Sequence, residues 1–131
     1  MKSVVVTGAS TGIGWGCTKV LVAKGFHVFG SVRKQADADR LSGEFGAAFT
    51  PLPFDVTDEA AIRAGAQTTA ARLKGETLAG LVNNAGIAVS GPLLHIEPSE
   101  LSFQLEVNVV GQLAVTQAFA PLLGASPGAS P

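Results

Sequence analysis

The sequence predicts an α/β fold, a parallel sheet with helices on both faces. Three observations carry that expectation. Short apolar runs alternate with longer stretches of helical spacing, in the order β-α-β-α-β-α-β-α over 131 residues. Alternation of this kind gives parallel strands joined by crossover helices. The opening run is continuously apolar, as in a strand buried on both faces. The composition is that of a packed globule, 47% apolar and 15% charged, well away from the disordered range.

Each element has a local reason. Ser3–Val6 is the first strand. Beyond its glycine-rich turn, Ile13, Cys17, Val20 and Leu21 recur at helical spacing and mark the inner face of a helix starting near Ile13. Lys24 and Gly25 close that helix in charge and cap. His27–Val32 reads as the second strand, and a short polar helix follows near residues 37–44. Residues 47–54 read as a third strand. Its Pro51 and Pro53 cannot donate to a ladder, which predicts an edge strand or an early end. Thr57 is expected to cap the next helix, with Asp58 and Glu59 at its positive end. Ile62, Ala66, Thr69 and Leu73 would be that helix's inner face. Residues 78–82 form a fourth strand, broken by Asn83-Asn84-Ala85-Gly86. A long helix is expected over residues 98–119, with Pro98 in a tolerated first-turn position. Residues 124–131 repeat Gly-Ala-Ser-Pro and read as a loop or disordered tail.

The expected organisation is one domain over residues 1–123 and a tail over residues 124–131. The expected strand order is 3-2-1-4, of the Rossmann type. The fourth strand would then stand at an open apolar edge, and such an edge invites pairing with another chain.

Composition excludes several functions. The net charge is −1 and the pI about 6.1, so nothing steers the chain to nucleic acid or to an acidic membrane. Its single cysteine, Cys17, excludes an internal disulfide and a cysteine-based zinc cluster. No apolar run reaches the roughly 18 residues of a membrane span, and no signal peptide is read at the start. A cytoplasmic location is expected. His27 and His95 lack the spacing of metal ligands, so no metal site is expected. Trp15 and Cys17 read as packing residues.

Four motifs together resemble the short-chain dehydrogenase/reductase family. Thr7-Gly8-Ala9-Ser10-Thr11-Gly12-Ile13-Gly14 is followed downstream by Asn83-Asn84-Ala85-Gly86. Asp55-Val56 after the third strand, and Asn108 with Gly111 in the long helix, match at the family's distances. The resemblance covers essentially the whole chain but only the N-terminal half of a family member. It implies hydride transfer between a nicotinamide cofactor and a carbonyl or alcohol.

Physical chemistry gives each residue a task beside that resemblance. At Gly8, Gly12 and Gly14 a Cβ would block either a pyrophosphate approaching the backbone or the turn itself. The helix beginning near Ile13 aims free N–H groups at phosphates. Ser10, Thr11 and Ile13 resemble the family's loop contacts, although Thr11 also suits a plain N-cap. At the end of the second strand, Ser31-Val32-Arg33-Lys34 offers no carboxylate to repel a 2′-phosphate, and Arg33 and Lys34 suit one. That favours NADP(H), with NAD(H) possible. By resemblance Asp55 would accept from the adenine amine and Val56 would line its pocket. Asn83, Ala85 and Gly86 would lie beside the nicotinamide ribose, with bracing and binding mixed. Asn108 would be the asparagine of the family's catalytic tetrad, and Gly111 would allow close helix packing.

The other catalytic residues have no counterpart. The chain contains no tyrosine, so the Tyr-x-x-x-Lys motif is absent. Ser126 and Ser130 lie in the tail and do not match the family's serine motif. The chain is therefore expected to be a cofactor-binding fragment that does not turn over alone, of an enzyme whose substrate is not legible. The family's long helix commonly lines a dimer interface, so a homo-oligomer is expected. The alternative reading is a non-catalytic nucleotide-binding or self-associating module.

Overall fold

Four strands build one parallel sheet in the order β3-β2-β1-β4: β1 (Ser3–Val6), β2 (His27–Val32), β3 (Phe49–Pro53) and β4 (Gly80–Val82). The computed structural model describes residues 2–87 and 94–124. In register, β1 lies between β2 (Val5 beside Phe29) and β4 (Val5 beside Leu81). β3 is the outer strand next to β2, with Pro51 beside Gly30 and Pro53 beside Val32. The two prolines thus sit on an edge strand, where a missing donor costs least. The order is the one expected from sequence.

The helices divide between the two faces. α1 (Gly12–Ala23) and α2 (Gln35–Phe45) cover one. There Val4, Val6, Val28, Val32, Leu41 and Phe49 form a buried core. α3 (Glu59–Leu73) and a long helical stretch cover the other, over Val5, Phe29, Leu52, Phe54, Ile62, Val115 and Phe119. Because successive side chains of a strand point to opposite faces, continuous apolar runs supply both cores at once. Phe54 and Phe119 stack with ring centroids 6.2 Å apart and are almost wholly buried. Burying each contributes roughly 1.5–3 kcal/mol.

Several local expectations are corrected. Asp58, not Thr57, is the N-cap of α3, and its carboxylate accepts from the Ala61 N–H at 3.1 Å. Adjacent Asp and Thr are both good caps. Here Thr57 is taken up by Asp55, whose Oδ1 accepts from the Thr57 hydroxyl at 2.8 Å and its N–H at 3.0 Å. On α3 the buried residues are Ile62, Gly65, Thr69 and Leu73, with Ala66 half-buried. The third strand begins at Phe49 because Gly46–Ala48 forms a 3-10 turn. The fourth keeps only three residues in ladder.

The first helix also departs from expectation. Gly14 and Thr18 are its buried residues, while Ile13 and Val20 are 77% and 54% exposed. Cys17 is half-buried, not core. Ile13, Cys17 and Val20, together with Leu21 and Val82, line an open apolar depression beside β4. Periodicity identified an apolar face, but its inner edge alone meets the sheet.

The long helix is present and carries a fault. α4 (Pro98–Leu105) runs into a π-helical segment, Glu106–Gly111, and then into α5 (Gln112–Phe119). Pro98 sits in the first turn. Wider π turns mark places where a helix accommodates something beside it. Here the neighbour is the Val56 carbonyl oxygen, which would lie 2.7 Å from a Cβ at Gly111, inside the segment. The expected tail over residues 124–131 lies, after Gly124, outside the described residues.

Candidate functional site

At the C-terminal ends of the strands lies a cleft of about 300 Å³. Three successive strand ends and the loop after the fourth converge there. β1 delivers Gly8, Ser10, Thr11 and Ile13, β2 delivers Ser31, Val32 and Arg33, and β3 delivers Phe54, Asp55 and Val56. The β4 loop supplies Asn84, Ala85, Gly86 and Ile87. Crevices of open parallel sheets at this end are where such folds take ligands.

The glycine-rich loop has three glycines with three different reasons. Gly8 holds φ at +67°, and a Cβ there would come within 3.0 Å of Ala85 Cα. Gly12 holds φ at +59° in open space, so it is chosen for conformation alone. At Gly14 a Cβ would overlap the Gly8 carbonyl oxygen and lie 2.5 Å from Asn84 Nδ2. Gly14 therefore serves close packing of the loop on the β4 turn and does not line the cleft. Thr11 occupies the N-cap position of α1, yet its side chain makes no capping hydrogen bond. The first turn of α1 contains no acidic residue, so its positive end faces the cleft uncompensated.

Thr7 and Asn84 lock the two loops together. Thr7 is buried, and its Oγ1 accepts from the N–H groups of Asn84 and Ala85 at 2.9 and 3.0 Å. Asn84 Nδ2 donates to the Gly8 carbonyl at 3.1 Å. On the other side, the Gly8 N–H donates to Ser31 Oγ at 2.8 Å and the Ala9 N–H to the Ser31 carbonyl at 3.0 Å. Neither Asn84 nor Ser31 stood out as a site residue in sequence. A second amide beside Asn83 and a serine inside an apolar strand were the available signals.

Arg33 lines the cleft from just beyond β2, exposed, after the buried Val32. Lys34 is the exposed N-cap of α2 and does not line it. Asp55 does line it, braced by Thr57. Asn83 turns away, with its amide donating to Thr116 Oγ1 at 3.1 Å on α5. Asn108 sits in the π segment and pairs reciprocally with the backbone of Ile87. Its Nδ2 donates to the Ile87 carbonyl at 2.7 Å and its Oδ1 accepts the Ile87 N–H at 2.9 Å. That exchange satisfies a half-buried mid-helix amide and fixes the β4 loop against the long helix. Phe103 and Val107 close the wall nearby.

Away from the cleft, His27 starts β2, with Nε2 2.8 Å from Thr50 Oγ1 and its ring edge-on to Phe29. Burial, and then the charge of Arg72, hold its pKa below the ordinary 6.5. His95 is exposed. Among the described residues no group of three His, Cys, Asp or Glu side chains could hold a metal ion, and no helix is long and apolar enough to cross a membrane.

Comparison with known proteins gives consistent results. The family model for short chain dehydrogenases matches residues 2–130. An NADPH-dependent 3-dehydrocapnine reductase from Ornithobacterium rhinotracheale is 42% identical over 126 residues, 96% of this chain and 44% of that protein. The NADPH-bound carbonyl reductase from chicken fatty liver superposes with a TM-score of 0.84 at 34% identity, over 93% of this chain and 51% of that one. A 3-ketoacyl-(acyl-carrier-protein) reductase from Brucella melitensis, complexed with NADH, gives 0.84 at 31%, over 92% and 49%. The chain thus spans about half the length of the relatives it matches.

Proposed function

The chain belongs to the short chain dehydrogenase family, and from that premise we propose that its cleft is the NADP(H) site of an oxidoreductase acting on a carbonyl or alcohol. The observation that carries this reading is the convergence of the glycine loop, Arg33 and Asp55 on one cleft. The residues fit the group. Gly8 and Gly12 leave backbone where a Cβ would intrude or strain, and the uncapped start of α1 offers N–H donors to a pyrophosphate. Ser10, Thr11 and Ile13 would contact the phosphates and the adenosine ribose. Asp55 would accept from the adenine amine, with Val56 against the ring. Ala85 and Gly86 would flank the nicotinamide ribose. Gly14 and Asn83 brace this arrangement rather than touch the ligand.

When bound, the nicotinamide cofactor supplies or accepts the hydride. Asn108 holds the Ile87 backbone beside that end of the cleft. The chain has no tyrosine, so no acid/base of the family type acts within it, and it does not turn over by itself. Preference for NADP(H) over NAD(H) rests on Arg33, supported by Lys34, and on the absence of a carboxylate at Val32. The related reductases named for NADPH favour the same choice.

A self-associating role is favoured by one observation. Leu101, Leu105, Val109 and Leu113, spaced four apart on the long helix, are each more than half exposed. Such a stripe on a helix marks an interface, so we expect copies of the protein to meet along it.

The cofactor reading is tested by calorimetric titration of NADPH and NADH into the 131-residue chain and its Arg33→Ser variant. NADPH should bind more tightly to the unaltered chain, and the substitution should weaken NADPH about tenfold or more, as loss of a charge-assisted phosphate contact does, with NADH little changed. Equal weakening of both would remove Arg33 as the selector. No binding of either by a folded chain would overturn the site.

A further inference from the structure

We propose that Arg40 is a positioning residue, which with the Trp15–Glu44 contact clasps the glycine-rich loop to α2 and holds it in its ligand-receiving shape. The inference rests on the cofactor reading of the cleft. Arg40 and Glu44 lie one helical turn apart, so they project from the same side of α2. Arg40 Nη2 donates to the Ser10 carbonyl oxygen at 2.5 Å and lies 3.5 Å from Asp37 Oδ1. The Trp15 indole N–H donates to both carboxylate oxygens of Glu44, at 3.0 and 3.1 Å. Lys19 Nζ stands 5.2 Å from the centre of the indole ring on the same helix as Trp15, which favours one orientation of the ring.

The loop needs such a hold in one half only. Gly8 and Ala9 are tied to Ser31 on β2. Thr11 makes no side-chain cap, and a Cβ at Gly12 would meet nothing within 4 Å. The stretch from Ser10 to Gly12 therefore lacks packing of its own. Arg40 anchors its beginning, and Trp15, one turn into α1, anchors the helix that follows. Arg40 does not line the cleft, and its guanidinium is directed to a carbonyl and to Asp37. That geometry assigns it to the loop, not to the ligand. It also makes α2, which begins right after Arg33 and Lys34, the element that keeps the phosphate-selecting residues in step with the glycine loop.

The test uses Arg40→Met and Arg40→Lys in the 131-residue chain, with two readouts. Amide hydrogen exchange of residues 10–13 is followed without ligand, and two dinucleotides are titrated separately, NADPH and NADH, the second of which carries no 2′-phosphate. Loss of one hydrogen bond of ordinary net strength corresponds to about fivefold. Arg40→Met should speed exchange and weaken NADH by about that factor, while Arg40→Lys, which keeps charge and a donor, should lose less on both. Unchanged exchange in Arg40→Met would overturn the clasp. So would weakening confined to NADPH, which would make Arg40 an electrostatic partner of the phosphate. If the unaltered chain binds neither dinucleotide, the reading of the cleft fails, and the exchange comparison still decides the clasp.

Discussion

Three glycines in and just after the loop make a graded prediction, because their surroundings differ while the substitution is the same. In Gly14→Ala the new methyl would overlap the Gly8 carbonyl oxygen and sit 2.5 Å from Asn84 Nδ2. The first obstacle is backbone, and Gly8 cannot retreat, since it is itself packed against Ala85. Overpacking of this kind costs roughly 1–3 kcal/mol. Displacing the Asn84 amide also breaks its bond to the Gly8 carbonyl, about 1 kcal/mol more. The total is about 3 kcal/mol, a large share of the roughly 5–15 kcal/mol that holds a domain folded. For a domain of this size that lowers Tm by about 10 °C. Gly12→Ala meets no atom within 4 Å but must hold φ at +59°. It should cost about 1 kcal/mol. Gly16→Ala also meets nothing within 4 Å, within α1 at ordinary φ, and should stabilise by about 0.5–1 kcal/mol. Thermal unfolding followed by far-UV circular dichroism ranks the three. If Gly14→Ala costs no more than Gly12→Ala, the packing of the loop on the β4 turn is misjudged.

Two further perturbations probe other parts of the molecule. Thr7→Val keeps the shape of a buried residue but removes the acceptor shared by the Asn84 and Ala85 N–H groups. It should cost about 2–4 kcal/mol in urea denaturation, whereas Thr7→Ser should recover most of it. Equal losses in the two variants would point to packing instead. His27 has a pKa below 6.5 in the folded chain, so the unfolded chain takes up the proton first. Its contribution is flat above pH 6.5, and stability is lost as pH falls through that value towards the folded pKa. Tm should drop as pH falls below about 6.5, and His27→Gln should flatten that part of the profile. An identical slope in the variant would assign the acid sensitivity to other groups.

What was legible in the sequence follows from what each residue depends on. Ser3–Val6 and His27–Val32 are strands with the bounds expected of them, because burial on both faces leaves an unbroken apolar run. Pro51 and Pro53 marked the edge, since a missing N–H is tolerated only there. Gly8 and Gly14 were legible as glycines that matter, but not why. The carbonyl that excludes a Cβ from Gly14 belongs to Gly8, and the Asn84 amide beside it lies 70 residues away in sequence. The π segment leaves helical periodicity almost intact, so residues 98–119 read as one regular helix. The exposed side of α1 was hidden for a similar reason. Spacing shows that Ile13, Cys17 and Val20 share a side, and only the packing of α1 on β1 and β2, which leaves that side to an open depression with Val82, shows that the sheet does not cover it. Asn83 and Asn84 are indistinguishable in sequence, yet one grips Thr116 and the other Gly8.

The most direct measurement is an NMR titration of the isotopically labelled chain with NADPH. Saturable shifts are expected at Gly8, Ser10, Thr11, Ile13, Arg33, Asp55, Val56, Ala85 and Gly86, with His27 and Arg72 at the far end of the sheet unmoved. Shifts gathered around His27 and Arg72, or a folded chain with no saturable shifts at all, would contradict the cofactor reading of the cleft.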